Sequence, residues 1–381
     1  MFIDVEYLVN LIDSPGHLDF YGEVSTATCL SDGAILVIDV VEGVCAQTNS
    51  ALRLVWKEAI RPCLLLNKID RLFTELKMTP MEAYKRLQFI VEQINAIAGQ
   101  LFVSKVIGDQ EREEREDRPS SFSDSDQNEE SSYFIPERGN VVFASALDGW
   151  GFRIDDFVKI WASKLSIDAS VLRKAMWGDF YFSAKTKRVL PNAAAKGRQP
   201  LFVQMILDNV LAIYDSALLN PDDAHMLKII HSLKLNVTPK ELRSGGDRRA
   251  LVKCIFGRWL PLAVAVLDTV CDTLPPPSSL PEQRLRQMMC KSGQNFDTLP
   301  EASKNMLPYL LHCSAKNAPT VVFISKLFAV DTGLLCRRSK EMADDRVNGV
   351  RLLVNGMSKK LRFADDATNV PLVLLASYIT V

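Results

Sequence analysis

A doubly wound α/β fold with a mostly parallel sheet is what this 381-residue sequence predicts. Three observations carry that expectation. Apolar runs of strand length recur along the first 145 residues, each ends on a polar side chain, and most are followed by a stretch with helical spacing. Such βα units in series place their strands side by side in parallel with helices on both faces, because the crossovers are right-handed and must pack back onto the sheet.

The elements follow in order. Tyr7 to Asp13 (YLVNLID) reads as a buried strand and Leu18 to Leu30 as a helix. Gly33 to Asp39 (GAILVID) is a second buried strand, and Gln47 to Ile60 alternates apolar and polar residues at helical period. Pro62 to Asn67 (PCLLLN) is the third strand. Thr79 to Ala98 is a helix with Thr79 as cap, Pro80 at the first helical position and Glu82 in the first turn. Val141 to Ala144 is the next strand. Between these last two, Asp109 to Glu137 is packed with Glu, Arg, Ser and Asp, and is expected to form a flexible insertion because it has too little apolar surface to offset its ordering entropy. Residues 165–316 read as mainly helical, with turns at Pro191, Pro221 and Pro275 to Pro277 and with Trp177 and Trp259 in the core.

Composition narrows the function classes. With 48% apolar residues there is material for two or three domains. A net charge of −1 gives no global attraction to nucleic acid, and the basic stretches Lys185 to Arg188 and Arg243 to Arg249 read as solvated surface. Eight cysteines are scattered without a Cys-x-x-Cys pair, which points to reduced thiols and a cytoplasmic protein. The apolar close VPLVLLASYITV is too short to cross a bilayer, so no membrane association is expected.

Two polar runs at strand ends carry the chemistry. Asp13-Ser14-Pro15-Gly16-His17-Leu18-Asp19-Phe20 begins on a carboxylate at the carboxyl edge of the sheet, where open α/β sheets bind ligands. A carboxylate there suits a hydrated Mg²⁺, reached through water. Gly16 lets its backbone N–H approach a phosphate oxygen, and the His17 imidazole stands where it could orient an attacking water. Ser-Pro-Gly is also a good turn sequence on composition alone. Asn67-Lys68-Ile69-Asp70 follows the third strand at the same edge. The Asp70 carboxylate can accept both the N1–H and the N2–H₂ of guanine, a donor pair adenine does not offer. Asn67 can bridge the neighbouring loops, and the Lys68 stem can lie over the purine plane. After the strand Val141 to Ala144, the run Ser145-Ala146-Leu147 offers a backbone N–H at Ala146 to the guanine carbonyl oxygen.

Together these runs resemble the translation-factor class of GTPases. Trp177-Gly178-Asp179-Phe180-Tyr181, the stretch from Gln199 to Leu219 and Arg258-Trp259-Leu260-Pro261 resemble the elongation factor 2 branch with its helical insertion in the G domain. Ile69 to Lys77, Val91 to Leu101, Asn140 to Phe152 and Thr320 to Asp331 resemble the elongation factor-like GTPases of large ribosomal subunit maturation, the last of them the first strand of that family's second, β-barrel domain. The resemblance implies a P-loop GTPase-type fold and a partial G domain over residues 1–165. A helical insertion with the G-domain remainder would occupy 166–316, and the start of a second domain with a divergent tail 317–381. It implies GTP/GDP and Mg²⁺ as ligands and GTP hydrolysis on the pre-60S subunit. It further implies release of the anti-association factor together with the Shwachman-Bodian-Diamond protein. An elongation factor 2-type translocase fragment and a non-catalytic ribosome-binding fragment are the alternatives.

One departure sets a further expectation. No Gly-x-x-x-x-Gly-Lys-Ser/Thr occurs in the 381 residues, nor the Mg²⁺-binding Thr segment of the family. Losing about five phosphate contacts at roughly 1.5–3 kcal/mol each removes on the order of 7–15 kcal/mol, against about 12 kcal/mol for nanomolar binding. The chain as written is therefore expected to be truncated at both ends and to bind GTP weakly. A gap is expected in the sheet between Tyr7 to Asp13 and Gly33 to Asp39, leaving two apolar edges unpaired.

Overall fold

The computed structural model describes residues 7–116, 133–183, 185–238, 247–290, 295–312, 351–354, 357–360 and 378–380. The chain divides into two units, one of residues 1–284 with 374–381 and one of residues 285–373.

The first unit is built on a six-stranded sheet. Its strands are β1 (Asp13–Ser14), β2 (Gly33–Asp39), β3 (Arg61–Asn67), β4 (Val141–Ser145), β5 (Trp150–Phe152) and β10 (Tyr378–Thr380), in the order β1-β10-β2-β3-β4-β5. Every pairing is parallel except β4 with β5. Because β1 to β4 run parallel, Asp13, Asp39, Asn67 and Ser145 all arrive at one edge, the carboxyl edge expected from the sequence.

Strand alternation divides the core in two. Leu36, Ile38, Leu64, Leu66, Val141 and Phe143 face the larger core, which takes in Leu52 and Val55 of the helix Ala46–Lys57 and Tyr84, Leu87, Ile90 and Ile94 of the helix Pro80–Glu116. Ile35, Cys63, Leu65, Val142 and Ala144 face the other way, onto Ala265 and Val270 of the helix Leu262–Thr273. Helices thus cover both faces, as the runs of unbroken apolar residues in β2, β3 and β4 require. Aromatic rings fill the larger core. Phe202 packs edge-on to Trp177 at 4.9 Å and lies against Phe143 at 5.0 Å and Tyr84 at 5.1 Å, while Trp150 stacks on Phe256 at 5.2 Å. Trp177 and Trp259 pack against this core as half-buried residues.

Several elements depart from the sequence expectation. The buried strand expected over Tyr7 to Asp13 pairs only at Asp13–Ser14, and Tyr7, Leu8 and Leu11 are exposed. Among the described residues its neighbour β10 offers Tyr378 and Ile379 as partners. The gap expected beside β2 is filled by that same strand, with Ile379 opposite Leu36 and Thr380 opposite Val37. The helix expected to end near Ala98 runs to Glu116. Glu, Gln and Arg are strong helix formers, so polarity there does not prevent a helix. Of the insertion expected over Asp109 to Glu137, residues 117–132 lie outside the described residues. The mainly helical region contains a hairpin, β6 (Phe180–Ser183) with β7 (Arg188–Pro191). It also contains two π-helical turns, Val203–Leu207 and Asp215–Leu219, on either side of the α-helix Asp208–Tyr214. The wider turns leave the Met205 carbonyl accepting from Trp161 Nε1 at 3.2 Å and Asn209 Nδ2 at 2.8 Å.

In the second unit the short helices Glu301–Lys304 and Leu307–His312 are described, with a hairpin of β8 (Arg351–Val354) and β9 (Met357–Lys360). The barrel strand expected over Thr320 to Asp331 lies outside the described residues.

Candidate functional site

β3 ends at Asn67, and Lys68 then turns the chain into the helix Ile69–Thr74 by adopting left-handed backbone geometry, φ 66°. A non-glycine residue pays for that conformation only where its surroundings fix it. Here the surroundings are polar and specific. Asn67 Oδ1 accepts from its neighbour's amide, Lys68 N–H, at 2.8 Å and from Ala146 N–H at 2.9 Å, tying the β3 loop to the β4 loop. Lys68 Nζ donates to Asp39 Oδ2 at 2.6 Å at the end of β2. Burial acts to raise the Asp39 pKa, but the bond from Lys68 and the backbone amide of Val41 outweigh it and hold the carboxyl below its usual range.

Asp70 follows on the first turn of that helix, and its side chain is 1% exposed. Ser145 Oγ donates to Asp70 Oδ1 at 2.7 Å, and Arg249 Nη2 donates to Asp70 Oδ2 at 3.0 Å. Arg249 belongs to the helix Arg248–Trp259, and its Nε also donates to Asp148 Oδ1 at 2.9 Å. Asp148 is itself fully buried and accepts from Tyr214 O–H at 2.8 Å, whose oxygen in turn accepts from Trp150 Nε1 at 2.7 Å. Burial pushes the Asp70 pKa up. The Ser145 bond and the Arg249 charge pull it down, and the Asp148 charge pushes with burial.

The sequence-predicted residues therefore fall into two groups. Asn67, Lys68, Asp70, Ser145 and Ala146 are joined across β3 and β4 by hydrogen bonds, with Leu147 exposed beside them. The Ala146 amide donates to Asn67 Oδ1 at 2.9 Å. Asp13, Gly16 and His17 stand at the same edge on the exposed turn after β1, where His17 Nε2 lies 3.2 Å from Asp19 Oδ2. Three inter-strand spacings separate β1 from β3, about 14 Å at roughly 4.8 Å each, a span a nucleoside triphosphate can cover. Sequence reasoning missed Arg249, Asp148 and Tyr214. Arg249 was expected at a solvated surface within a basic run, and it turns inward because two buried carboxylates draw it.

An ionised Asp70 has four lone-pair sites, of which Ser145, Arg249 and its own backbone amide take three, so a donor pair such as guanine N1–H and N2–H₂ would take the fourth and replace one of these bonds. One carboxylate at an exposed turn, Asp13, suits a Mg²⁺ that keeps most of its waters. Among the described residues no group of three or more His, Cys, Asp or Glu side chains could hold a metal by itself.

The sequence profile of the family described as "Elongation factor Tu GTP binding domain" matches residues 2–275. The chain belongs to this translation-factor GTPase family. Among its relatives, the Elongation factor-like GTPase 1 of Homo sapiens is 46% identical over 345 residues, covering 87% of this chain and 30% of that protein. The Ribosome assembly protein 1 of Saccharomyces cerevisiae is 40% identical over 349 residues, covering 89% of this chain and 30% of that protein. Its Schizosaccharomyces pombe counterpart is 39% identical over 355 residues, 92% of this chain and 34% of that protein. The chain thus spans about a third of the length of the relatives it matches. No helix among the described residues is long and apolar enough to cross a membrane.

Proposed function

We propose that this chain carries the guanine-reading part of a GTPase acting in the cytoplasm on the pre-60S ribosomal subunit, where GTP hydrolysis drives release of the anti-association factor in concert with the Shwachman-Bodian-Diamond protein. The observation that carries the reading is the buried Asp70 carboxylate, fixed by Ser145 and held beside a loop pair that Asn67 clamps. In this reading Asp70 accepts the guanine N1–H and N2–H₂, Asn67 keeps the two loops at a fixed distance, and the Lys68 stem covers the purine. Leu147 shields the base from water. Asp13 would hold Mg²⁺ through water, and the ion when bound would offset charge on the phosphates. Gly16 offers its N–H to a terminal phosphate, and His17, exposed on its turn beside Asp19, orients water. Membership of the GTP-binding family and the ribosome-assembly names of its relatives support the assignment.

The test is a nucleotide titration followed by NMR over the micromolar to millimolar range, comparing GDP, ADP and XDP on the wild type and on Asp70→Asn. The wild type is expected to prefer GDP. The Asn amide donates where xanthine has a carbonyl, so D70N is expected to lose GDP by at least about tenfold, one good hydrogen-bonded contact, and to gain XDP. Equal response to GDP and ADP in the wild type would overturn the base reading. Enrichment of pre-60S particles on the immobilised chain over a control protein tests the ribosomal part.

A further inference from the structure

Two carboxylates, Asp70 and Asp148, share one buried cluster with side chains 1% and 0% exposed. Like charges so placed cannot both remain ionised without a compensating cation. The charged and titratable groups around them come from every neighbouring element. Tyr214, from the helix Asp208–Tyr214, donates a neutral O–H to Asp148. Ser145, at the end of β4, does the same for Asp70. Lys68, on the preceding loop, directs its ammonium to Asp39, and Arg71, on Asp70's own helix, directs Nε to Glu75 at 2.7 Å. Among the described residues, Arg249 is the cation whose nitrogens reach both buried carboxylates: Nη2 lies 3.0 Å from Asp70 Oδ2 and 3.3 Å from Asp148 Oδ2, with Nε 2.9 Å from Asp148 Oδ1.

We propose that Arg249 is a positioning residue for guanine recognition, holding Asp70 as an ionised, acceptor-only carboxylate against the adjacent charge of Asp148. The inference rests on the base reading above. A protonated Asp70 would present an O–H where guanine needs an acceptor, so the charge state of this one side chain decides whether the base is read. Arg249 is 38% exposed while its partners are buried, so it closes the cluster from the solvent side and stays hydrated on its outer edge. The Nε and Nη2 edge spans both oxygens of Asp148, and Nη2 is shared with Asp70 Oδ2, so one planar guanidinium ties the two carboxylates together, which a lysine's single ammonium does less well. Burial, which works against the charged form of Asp70, makes that compensation necessary.

The experiment follows the side-chain carboxyl carbon of Asp70 by NMR on ¹³C-aspartate-labelled protein without nucleotide, through a pH titration, beside GDP titrations at about pH 6 and about pH 8.5. The variants are R249M, R249K, D148N and the double variant R249M/D148N. The R249M change is expected to raise the Asp70 midpoint by about one pH unit or more, and to weaken GDP more at the lower pH than at the higher, in proportion to the fraction of Asp70 that the measured midpoint leaves protonated. R249K is expected to fall between wild type and R249M. Removing the second charge in R249M/D148N is expected to bring the midpoint back down, and D148N alone to lower it below wild type, which carries the test should R249M not fold. An unchanged Asp70 midpoint in R249M overturns the proposal. So does a loss of GDP that is equal at both pH values, the mark of a merely structural role, or tighter GDP at both, which would make Arg249 an obstruction. If R249M raises the midpoint while the wild type fails to distinguish GDP from ADP, the base reading falls and the electrostatic pairing stands.

Discussion

Asp32 gives the sharpest test of the electrostatics in this fold. It lies between the helix Tyr21–Cys29 and β2, is 6% exposed, and its Oδ1 has no hydrogen-bond partner. Burial pushes its pKa up from 3.8 to about 6, against a smaller downward pull from the Arg284 charge. The folded state therefore holds a proton that the unfolded state has released, and stability is lost as pH rises from 3.8 towards 6. Above that window the full cost is present: a shift of about two units at 1.36 kcal/mol each gives roughly 3 kcal/mol. Asp32→Asn removes the titration. An Asn amide in the same place also lacks partners, costing about 1–3 kcal/mol, but that cost does not change with pH and cancels when the variant is compared with itself. Urea unfolding of both proteins at about pH 4 and about pH 8 should show the variant gaining roughly 2–3 kcal/mol on the wild type between the two conditions. A difference between variant and wild type that is flat across that range would refute the reasoning, since it would mean that Asp32 is as well solvated in the folded chain as in the unfolded one.

Two further outcomes follow from the same fold. Deleting residues 374–381 removes β10 and should strip hydrogen-exchange protection from whichever of the adjacent Leu36 and Val37 amides faces β10, the other facing β3, and raise light scattering on concentration, as an opened apolar edge does; unchanged protection of both would show that β2 does not depend on that strand. Iodoacetamide should modify Cys45 before Cys63. Burial alone would raise the Cys45 pKa, but its bonds with Thr48 and the backbone amide of Gln47 outweigh it and lower the value, whereas burial sends Cys63 up to about 11; mass spectrometry of a time course showing Cys63 modified first would contradict this order.

What the sequence reveals and what it hides divide along a physical line. β2, β3 and β4 are legible because each is an unbroken apolar run buried on both faces, and the Asn67–Asp70 and Ser145–Leu147 loops are legible because their chemistry demands particular residues at fixed spacing. Arg249 is not, because its partners lie 101 and 179 residues away and nothing local distinguishes an arginine that turns inward from the solvated ones beside it. The hairpin β6–β7 hides for a similar reason: its strands are four residues each, too short for an alternating pattern to stand out among helices. The last turns of the helix Pro80–Glu116 are hard to read because Gln110 to Glu116 are polar as a disordered segment is, yet have high intrinsic helix propensity.

The placement of β10 connects these two kinds of residue. Asp13, Gly16 and His17 are set by local sequence, yet their distance from Asp70 is set by how many strands stand between β1 and β3. With β10 in place that number is two, and the spacing between the two ends of the edge is about 14 Å; were β1 to pair directly with β2, it would shrink by one strand width, about 4.8 Å. A nucleotide's reach from base to terminal phosphate is bounded although its torsions turn, so the number of strands sets how far it must extend for the carboxylates of Asp13 and Asp70 to serve the same molecule. Whatever parallel strand fills that slot acts as a spacer for the site, although it need not contribute a side chain to it. The β2 amide that faces β10 therefore reports on more than local stability, because its protection marks the spacing on which the two halves of the edge depend.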